Sequence, residues 1–232
     1  MKLSRYFWLT ALSLVFGFFG VILLSHVPIG VTAPSDVEMG RVANMASFES
    51  TDSNGVEVDG IRFETLVPET VWTIPENQPG ASTPVQLGIR MINNRSIPVQ
   101  FNRLDPLFFV ILEIMGENGV FLQRRGGRDI TITTNESDCP FVLFTGNNKT
   151  FFLNGSLFWR NNKLHLGSSD GLGGGWYFDD LRVGIYKVRF IYQNPNPVTG
   201  CYDPEMKEFK RVEDLWTGQV ATPFVEVRLV QP

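Results

Sequence analysis

The stretch Gly184–Tyr192, GIYKVRFIY, decides the fold class, because apolar and charged side chains alternate along it with a period of two. Lys187 and Arg189 fall on one face of this stretch. The opposite face is apolar and consists of Tyr186, Val188, Phe190 and Tyr192. The last apolar run of the chain, Val225–Leu229, follows the same rhythm. Both runs are typical of strands that bury one face in a core and expose the other.

Short runs rich in β-branched and aromatic residues continue outward from this strand, separated by Gly, Pro, Asn and Asp. This strand-and-turn spacing predicts an all-β sandwich of about eight to ten strands over residues 60–232. The clearest runs are Val85–Asn93, Pro106–Met115, Gly119–Gln123, Asp129–Thr134, Pro140–Phe144, Lys149–Leu153, Gly184–Tyr192 and Pro223–Val230.

One strand does not alternate. Leu107–Met115 is apolar at almost every position. Both of its faces are therefore expected to be covered, by the core on one side and by a loop, a partner or a membrane on the other.

The segment at residues 204–214 has the features of a short helix. Asp203 is a suitable N-cap, and Pro204 is a residue favoured at the first helical position. Apolar residues then recur every three positions, at Met206, Phe209, Val212 and Leu215. The sequence predicts one short helix here, in the crossing between the last two strands.

Residues 1–33 predict a signal peptide or an N-terminal membrane anchor. Two basic residues precede Phe7–Leu24, which contains no charge. As a helix this segment would reach ~27 Å, close to the hydrocarbon thickness of a bilayer. Val31–Ala33 offers the small residues of a cleavage site, whereas Pro34 directly after it hinders cleavage. Either outcome places the following residues outside the cytoplasm, in the cell envelope or secreted.

The exported part begins with small, polar and acidic residues at 34–59, which predict a flexible stalk before the folded domain at 60–232. The chain has a net charge of −4, and removing the two basic residues of the leader makes it −6. Lys and Arg are scattered among acidic residues, so no basic surface for releasing counterions from a polyanion is expected. We therefore expect no nucleic-acid partner.

Three short motifs resemble those of immunoglobulin-like domains in bacterial envelope proteins. Gly184–Tyr186 resembles the tyrosine corner, in which a Tyr near the start of a late strand bonds to upstream backbone. Asn94–Val99 is similar to a turn of those domains, and Trp216–Val220 to the approach of their closing strand. The resemblance implies an immunoglobulin-like sandwich, but Val188 replaces the second core Cys of antibody domains. A fainter similarity to small bacterial proteinase inhibitors implies a protruding protease-binding loop.

Cys139 and Cys201 are the two cysteines of the chain. In an oxidising compartment they predict a disulfide that tethers the turn before Pro140 to the crossing after Tyr192. The enclosed loop of about 60 residues would stabilise the fold by about 4 kcal/mol. The alternative is two free thiols. Two Cys without His neighbours do not make a zinc cage, so no metal site is expected.

Little in the sequence supports catalysis. His165 is the only histidine beyond the leader, since His26 lies next to the hydrophobic segment. His165 falls in a predicted strand, where a histidine is typically a surface or packing residue. A nucleophile that needs a histidine as its general base would have to use His165. We therefore predict no catalytic residue and no cofactor.

Aspartates and aromatic residues gather around the glycine-rich stretch Ser168–Trp176. Paired carboxylates can act as glycosidase acid and base or bind calcium, or they are turn residues of a loop. Aromatic rings can stack on sugar faces, or they fill the core. The candidate ligand-binding residues are Trp159, Trp176, Tyr177, Asp170, Asp179 and Asp180.

The sequence thus favours a non-enzymatic, exported or membrane-anchored binding or scaffolding module, with an unknown envelope protein or glycan as its partner. One alternative is a secreted domain that binds or hydrolyses glycans through Asp170 with Asp179 or Asp180. A second alternative is a proteinase-inhibitor-like domain.

Overall fold

The computed structural model describes residues 55–128, 139–169, 174–203 and 205–232. Within these ranges the chain forms sixteen strands and no helix, which confirms the all-β class. The strands are β1 (Gly55–Val58), β2 (Ile61–Leu66), β3 (Val71–Thr73), β4 (Ser82–Asn93), β5 (Val99–Phe101), β6 (Val110–Gly116), β7 (Arg125–Arg128), β8 (Phe141–Leu143), β9 (Asn148–Arg160), β10 (Lys163–Ser169), β11 (Gly174–Leu181), β12 (Gly184–Asn194), β13 (Thr199–Asp203), β14 (Glu208–Val212), β15 (Gly218–Ala221) and β16 (Val225–Val230). The predicted leader, most of the stalk, the run Asp129–Thr134 and Asp170 lie outside the described residues.

The strands form two larger sheets and two small ones. The first is seven-stranded, in the order β1-β2-β4-β9-β10-β11-β7, and each pair is antiparallel. The second is five-stranded, with β12 at its centre. There β6 pairs along one edge of β12, while β16 and then β15 pair along the other. The small sheets are the pairs β13-β14 and β5-β8.

The inner faces of the two larger sheets share one core. The alternation read from β12 is confirmed, since Val188, Phe190 and Tyr192 are fully buried. Across the interior, Phe63 of β2 lies against Tyr192, with ring centroids 5.7 Å apart. Apolar residues of both sheets belong to this one buried cluster, as in a β-sandwich.

Trp216 closes this core just before β15. Its ring lies 5.5 Å from Tyr192, 5.6 Å from Phe63 and 5.9 Å from Phe101. Gly218 allows this position: a Cβ there would lie 2.8 Å from the indole, and its φ of 150° is rarely adopted by other residues.

The apolar segment before Met115 is only partly a strand. β6 begins at Val110, and its alternate residues Val110, Leu112 and Ile114 are buried in the core. The preceding residues form a turn in which Asp105 O accepts hydrogen bonds from the N–H groups of Phe108, Phe109 and Val110. Phe121 forms an isolated bridge with Met115 at the edge of β6, and its ring lies 5.6 Å from the guanidinium of Arg189, so a loop residue covers part of the outer face.

The helix predicted at residues 204–214 is wrong, because β13 and β14 form a hairpin there. The carboxylate of Asp203 does accept hydrogen bonds from the N–H groups of Glu205 (3.0 Å) and Met206 (3.3 Å), as a helix N-cap would. Lys207, however, adopts a φ of 54° in the left-handed region, and the chain turns back. Met206 and Phe209 are exposed, so their three-residue spacing does not face a core.

β1 and β2 form the first hairpin of the described residues. β1 begins at Gly55, within the range assigned to the stalk, and pairs with β2. The turn is made by Asp59 and Gly60, with φ values of 51° and 70°. Positive φ at both residues is typical of a two-residue hairpin turn.

Tyr186 makes the backbone contacts expected of a tyrosine corner. Its hydroxyl donates to Arg182 O at 3.1 Å and accepts from Arg182 N at 3.0 Å. The ring packs on the core near the start of β12. The two hydrogen bonds fix the turn that leads from β11 into the central strand.

Replacing Tyr186 by Phe removes both hydrogen bonds and keeps the ring. We expect the free energy of unfolding to fall by about 1–2 kcal/mol. Urea denaturation measures it, with Tyr202→Phe as the matched control, because no hydrogen bond to the Tyr202 hydroxyl is found among the described residues and a change within about 0.5 kcal/mol is expected there. Equal effects of the two variants would contradict this role of Tyr186.

A buried carboxylate joins β2 to β4. Glu64 Oε1 accepts from Arg62 Nε at 2.7 Å, and its Oε2 lies 2.5 Å from Arg90 Nη2. Burial by itself would raise the pKa of Glu64, but the hydrogen bonds from the two guanidinium groups outweigh it and hold the pKa below the usual 4.5. The negative charge is therefore a feature of the folded state.

Because the folded pKa is the lower one, the contribution of Glu64 is complete above pH 4.5 and is lost as the pH falls through the folded value. We expect Glu64→Gln to lower the free energy of unfolding by about 2 kcal/mol near neutral pH. The difference from the unsubstituted protein should shrink as the pH falls below 4.5 and through the lower folded pKa of Glu64. Urea denaturation between pH 3 and 8 checks this, and a pH-independent difference would contradict it.

Candidate functional site

A groove of about 490 Å³ lies on the outer face of the seven-stranded sheet, across β9, β10, β11 and β7. It is lined by the glycines Gly126, Gly127, Gly167 and Gly175, the serines Ser156, Ser168 and Ser169, and the aromatic residues Phe158, Trp176 and Tyr177. The small residues leave backbone uncovered beside the side chains of Phe158 and Tyr177, so a flat ligand can approach the sheet closely.

Three of the four glycines are required by their surroundings. A Cβ at Gly126 would lie 2.2 Å from Gly175 O, and one at Gly175 would lie 2.9 Å from Ser168 O. A Cβ at Gly167 would lie 2.7 Å from Trp176 O. Gly127 differs, since nothing lies within 4 Å of the Cβ position. The groove therefore has a rigid floor with one position that accepts a side chain.

A row of rings borders the groove on adjacent strands. His165 of β10 stacks on Phe158 of β9, with centroids 5.4 Å apart and planes inclined by 13°. Tyr177 of β11 lies on the other side, 5.8 Å from the imidazole. The His165 ring is buried, and its Nε2 lies 3.3 Å from Arg160 O. His165 is therefore a packing residue that supports the two outer rings.

Polar groups continue the row toward β7. Arg125 pairs in register with Tyr177, and its Nε lies 3.4 Å from Asp179 Oδ2. Asp179 is half-buried and shares the outer face with Tyr177, because residues two apart in a strand point the same way. An aromatic ring beside a guanidinium and a carboxylate offers both a stacking surface and hydrogen-bonding groups.

A buried ion pair fixes β7 behind the groove. Arg128 Nη1 lies 2.6 Å from Asp105 Oδ2, and both side chains are largely buried. The neighbouring Arg124 donates to Pro106 O. Burial lowers the pKa of Arg124, which the charge of Asp105 partly offsets. These contacts hold the edge strand that carries Gly126 and Gly127.

The three aromatic residues predicted to bind a ligand do not lie on one face of the sheet. Trp176 is buried in the core and lies edge-on against Phe178, at 6.1 Å. Trp159 is half-buried on the core side, and its Nε1 donates to Pro75 O at 2.8 Å. Of the three predicted rings, only Tyr177 presents its side chain to the groove. Phe158 is the second ring there, and sequence reasoning missed it.

The predicted carboxylates are also divided. Asp180 has a φ of 63°, lies 3.5 Å from Arg182 Nη2, and lines a different cavity of about 350 Å³ together with Glu117. Glu117 there accepts a hydrogen bond from Ile185 N at 2.8 Å. Asp179 faces Arg125 instead. The structure thus does not place Asp179 and Asp180 in one cavity.

The predicted disulfide is confirmed. The sulfur atoms of Cys139 and Cys201 are 2.10 Å apart, with Cα atoms 4.8 Å apart. Cys201 is buried in β13, in the crossing after β12, as predicted. A disulfide of this kind is typical of proteins outside the reducing cytosol.

Two features are absent from the described ranges. No three or more His, Cys, Asp and Glu side chains there are grouped so that they could hold a metal ion. Nor does any helix with the length and apolarity of a membrane span occur in that part of the chain.

No protein-family model matches the chain, and neither any curated protein nor any solved structure shows significant similarity to it.

The groove draws on strands that are distant in sequence. The signal that could have found Phe158 is its position in β9, one residue away from Trp159 and so on the opposite face. The glycines of β7 carried no such signal, because the pairing of Gly127 with Gly175 joins segments far apart in the chain.

Proposed function

We propose that the chain is a non-enzymatic binding module, exported or membrane-anchored, that holds its ligand in the groove bordered by Phe158 and Tyr177. The observation that carries the proposal is the groove itself, whose volume of about 490 Å³ lies in the range of small-ligand sites. Its floor is rigid because Gly126, Gly167 and Gly175 pack closely on neighbouring backbone. Because the groove is already formed, the protein loses little conformational entropy when a ligand binds.

The exported location rests on two independent features. The Cys139–Cys201 disulfide suits an oxidising compartment. The uncharged segment Phe7–Leu24 after two basic residues suits export or anchoring.

The domain itself is proposed to be of the immunoglobulin-like type. The hydrogen bonds between Tyr186 and Arg182 support this assignment, since such a corner precedes a late strand in those domains. The central position of β12 in the five-stranded sheet agrees with it.

Gly127→Leu tests the groove directly, because the side chain enters open space and fills the recess without strain. With the photoreactive residue p-benzoylphenylalanine at position 158 of the full chain, irradiation of producing cells is expected to yield a discrete adduct. Adding Gly127→Leu should reduce the adduct about tenfold or more, since leucine occupies the ligand's volume. Gel mobility and mass spectrometry measure the adduct.

Gly200→Leu is the matched control, because a Cβ at Gly200 also meets nothing within 4 Å and this glycine lies in β13, away from the groove. It should leave the adduct unchanged. Equal yields with and without Gly127→Leu would contradict a ligand in the groove.

In the same cells, protease added from outside should digest the domain while a cytoplasmic marker survives. Survival of the domain in cells with a permeable outer layer would contradict export.

Glycan binding is the second candidate, favoured by the rings of Phe158 and Tyr177 at the border of a floor that contains serines. Sugar rings stack on aromatic faces, and hydroxyl groups bond to side chains such as Arg125 and Asp179. On an oligosaccharide array, the full chain should retain at least one class of glycan without cleaving it. Tyr177→Ala should weaken retention about tenfold. Cleavage would favour the hydrolase alternative, and an array without retention would overturn the glycan candidate.

A further inference from the structure

The β13–β14 hairpin stands apart from the two larger sheets as a sheet of its own. Its register pairs Tyr202 with Phe209 and Cys201 with Lys210. Two bonds stiffen it. The disulfide joins Cys201 to Cys139, and Lys210 Nζ lies 2.8 Å from Asp203 Oδ2. The hairpin is therefore held in shape before it meets any partner.

Large apolar side chains of this hairpin are exposed. Phe209 is 82% exposed, Met206 58% and Tyr202 37%. The rings of Tyr202 and Phe209 lie 5.2 Å apart and form one apolar surface. A monomeric protein rarely leaves such a cluster in water unless it mediates an interaction.

The hairpin also has a free strand edge. β14 pairs with β13 along one side, and no other strand of the described ranges pairs along its opposite side. The backbone N–H and C=O groups on that side are a template for one more strand. The partner that fits must therefore offer an extended strand together with an apolar side chain.

The sequence of β14, Glu-Phe-Lys-Arg-Val, is complementary to itself in one antiparallel register. When a two-fold axis passes through Phe209, the two Phe209 residues lie opposite each other, and Glu208 of one copy faces Lys210 of the other, twice. Directly opposed residues in antiparallel strands are close enough for these pairs to interact. An axis through Lys210 would instead oppose two like charges, which is unfavourable.

We propose that β14 pairs edge to edge with β14 of a second copy of this chain, about a two-fold axis at Phe209. Two hairpins then form one four-stranded sheet. One face carries a row of four rings, from Tyr202 and Phe209 of each copy, and the other face carries the two Glu208–Lys210 pairs. Such an isologous interface closes on itself and gives a dimer. The inference does not depend on what the groove binds.

Charge reversal tests the register in the full chain, purified with its leader in non-ionic detergent and carrying two different tags. Glu208→Lys opposes two lysines at both symmetric positions, and Lys210→Glu opposes two glutamates. Each variant alone is expected to lose self-association about tenfold or more. An equimolar mixture of the two variants restores both opposite-charge pairs, so association between the differently tagged chains should return. Sedimentation and pull-down of one tag by the other measure this.

The mixture separates loss of pairing from misfolding, because a misfolded chain does not regain association when the complementary variant is added. The distinction matters for Lys210→Glu, which also breaks the contact with Asp203, whereas Glu208→Lys leaves that contact intact. Glu226→Lys makes the same change of charge at an exposed position of β16 and should leave the dimer unaffected, as should Gly127→Leu in the groove.

Three outcomes would overturn the proposal. The first is an unsubstituted chain that stays monomeric across the concentration range, and the second is a mixture that does not recover association. The third is a Phe209→Asp variant that keeps the dimer but loses binding to phosphatidylcholine vesicles or inhibition of a protease panel. That result would assign the hairpin to a lipid surface or to a protease.

Discussion

The packing of Trp216 against Phe63, Phe101 and Tyr192 is the contact on which the rest of the structure depends. The rings of Trp216 and Tyr192 lie 5.5 Å apart, and each lies within 5.9 Å of both Phe63 and Phe101. Large rings dominate core energetics, and here they come from both larger sheets and from the segments between them. They determine which face of each sheet is inside. Since Trp176 and Phe178 of β11 then point inward, Tyr177 and Asp179 must point outward, and the groove follows from the core.

Strands were predictable from the sequence where one face is buried and the other is exposed to solvent. The set of residues that lines the groove was not predictable. Alternation in β12 gave its buried residues correctly because period and burial coincide. The false helix at residues 204–214 arose because an Asp side chain that bonds the next N–H groups looks alike in a helix cap and in a turn. The left-handed φ of Lys207 and the exposure of Phe209 distinguish the two, and exposure depends on the whole fold. The pairing of Gly127 with Gly175 was likewise invisible locally.

Rigidity of the groove has two physical sources that sequence reasoning treats separately. β11 is paired on both sides, with β10 and with β7, and Gly126 and Gly175 in this part of the sheet leave no room for side chains. The Asp105–Arg128 pair holds the same edge strand from behind, with partners 2.6 Å apart in a mostly dry setting. A surface ion pair would contribute little, but breaking a buried one leaves an uncompensated charge. The outer face of an edge strand is thus fixed by contacts on its inner side.

The charges on β14 are those expected of a strand edge that pairs with one partner in one register. Edge strands are commonly protected by lysines, which repel other strands, and Lys210 with Arg211 would serve that purpose. Phe209, directly before them in β14, works against protection, since an 82% exposed ring favours contact. Glu208 resolves the conflict, because an axis at Phe209 places it opposite Lys210, whereas an axis at Glu208, Lys210 or Arg211 opposes two like charges. A strand built only for protection needs neither the ring nor the acid, and a strand open to any partner would lack the lysine. The combination is therefore that of a selective edge, and the disulfide at Cys201 keeps it in the shape that selection requires.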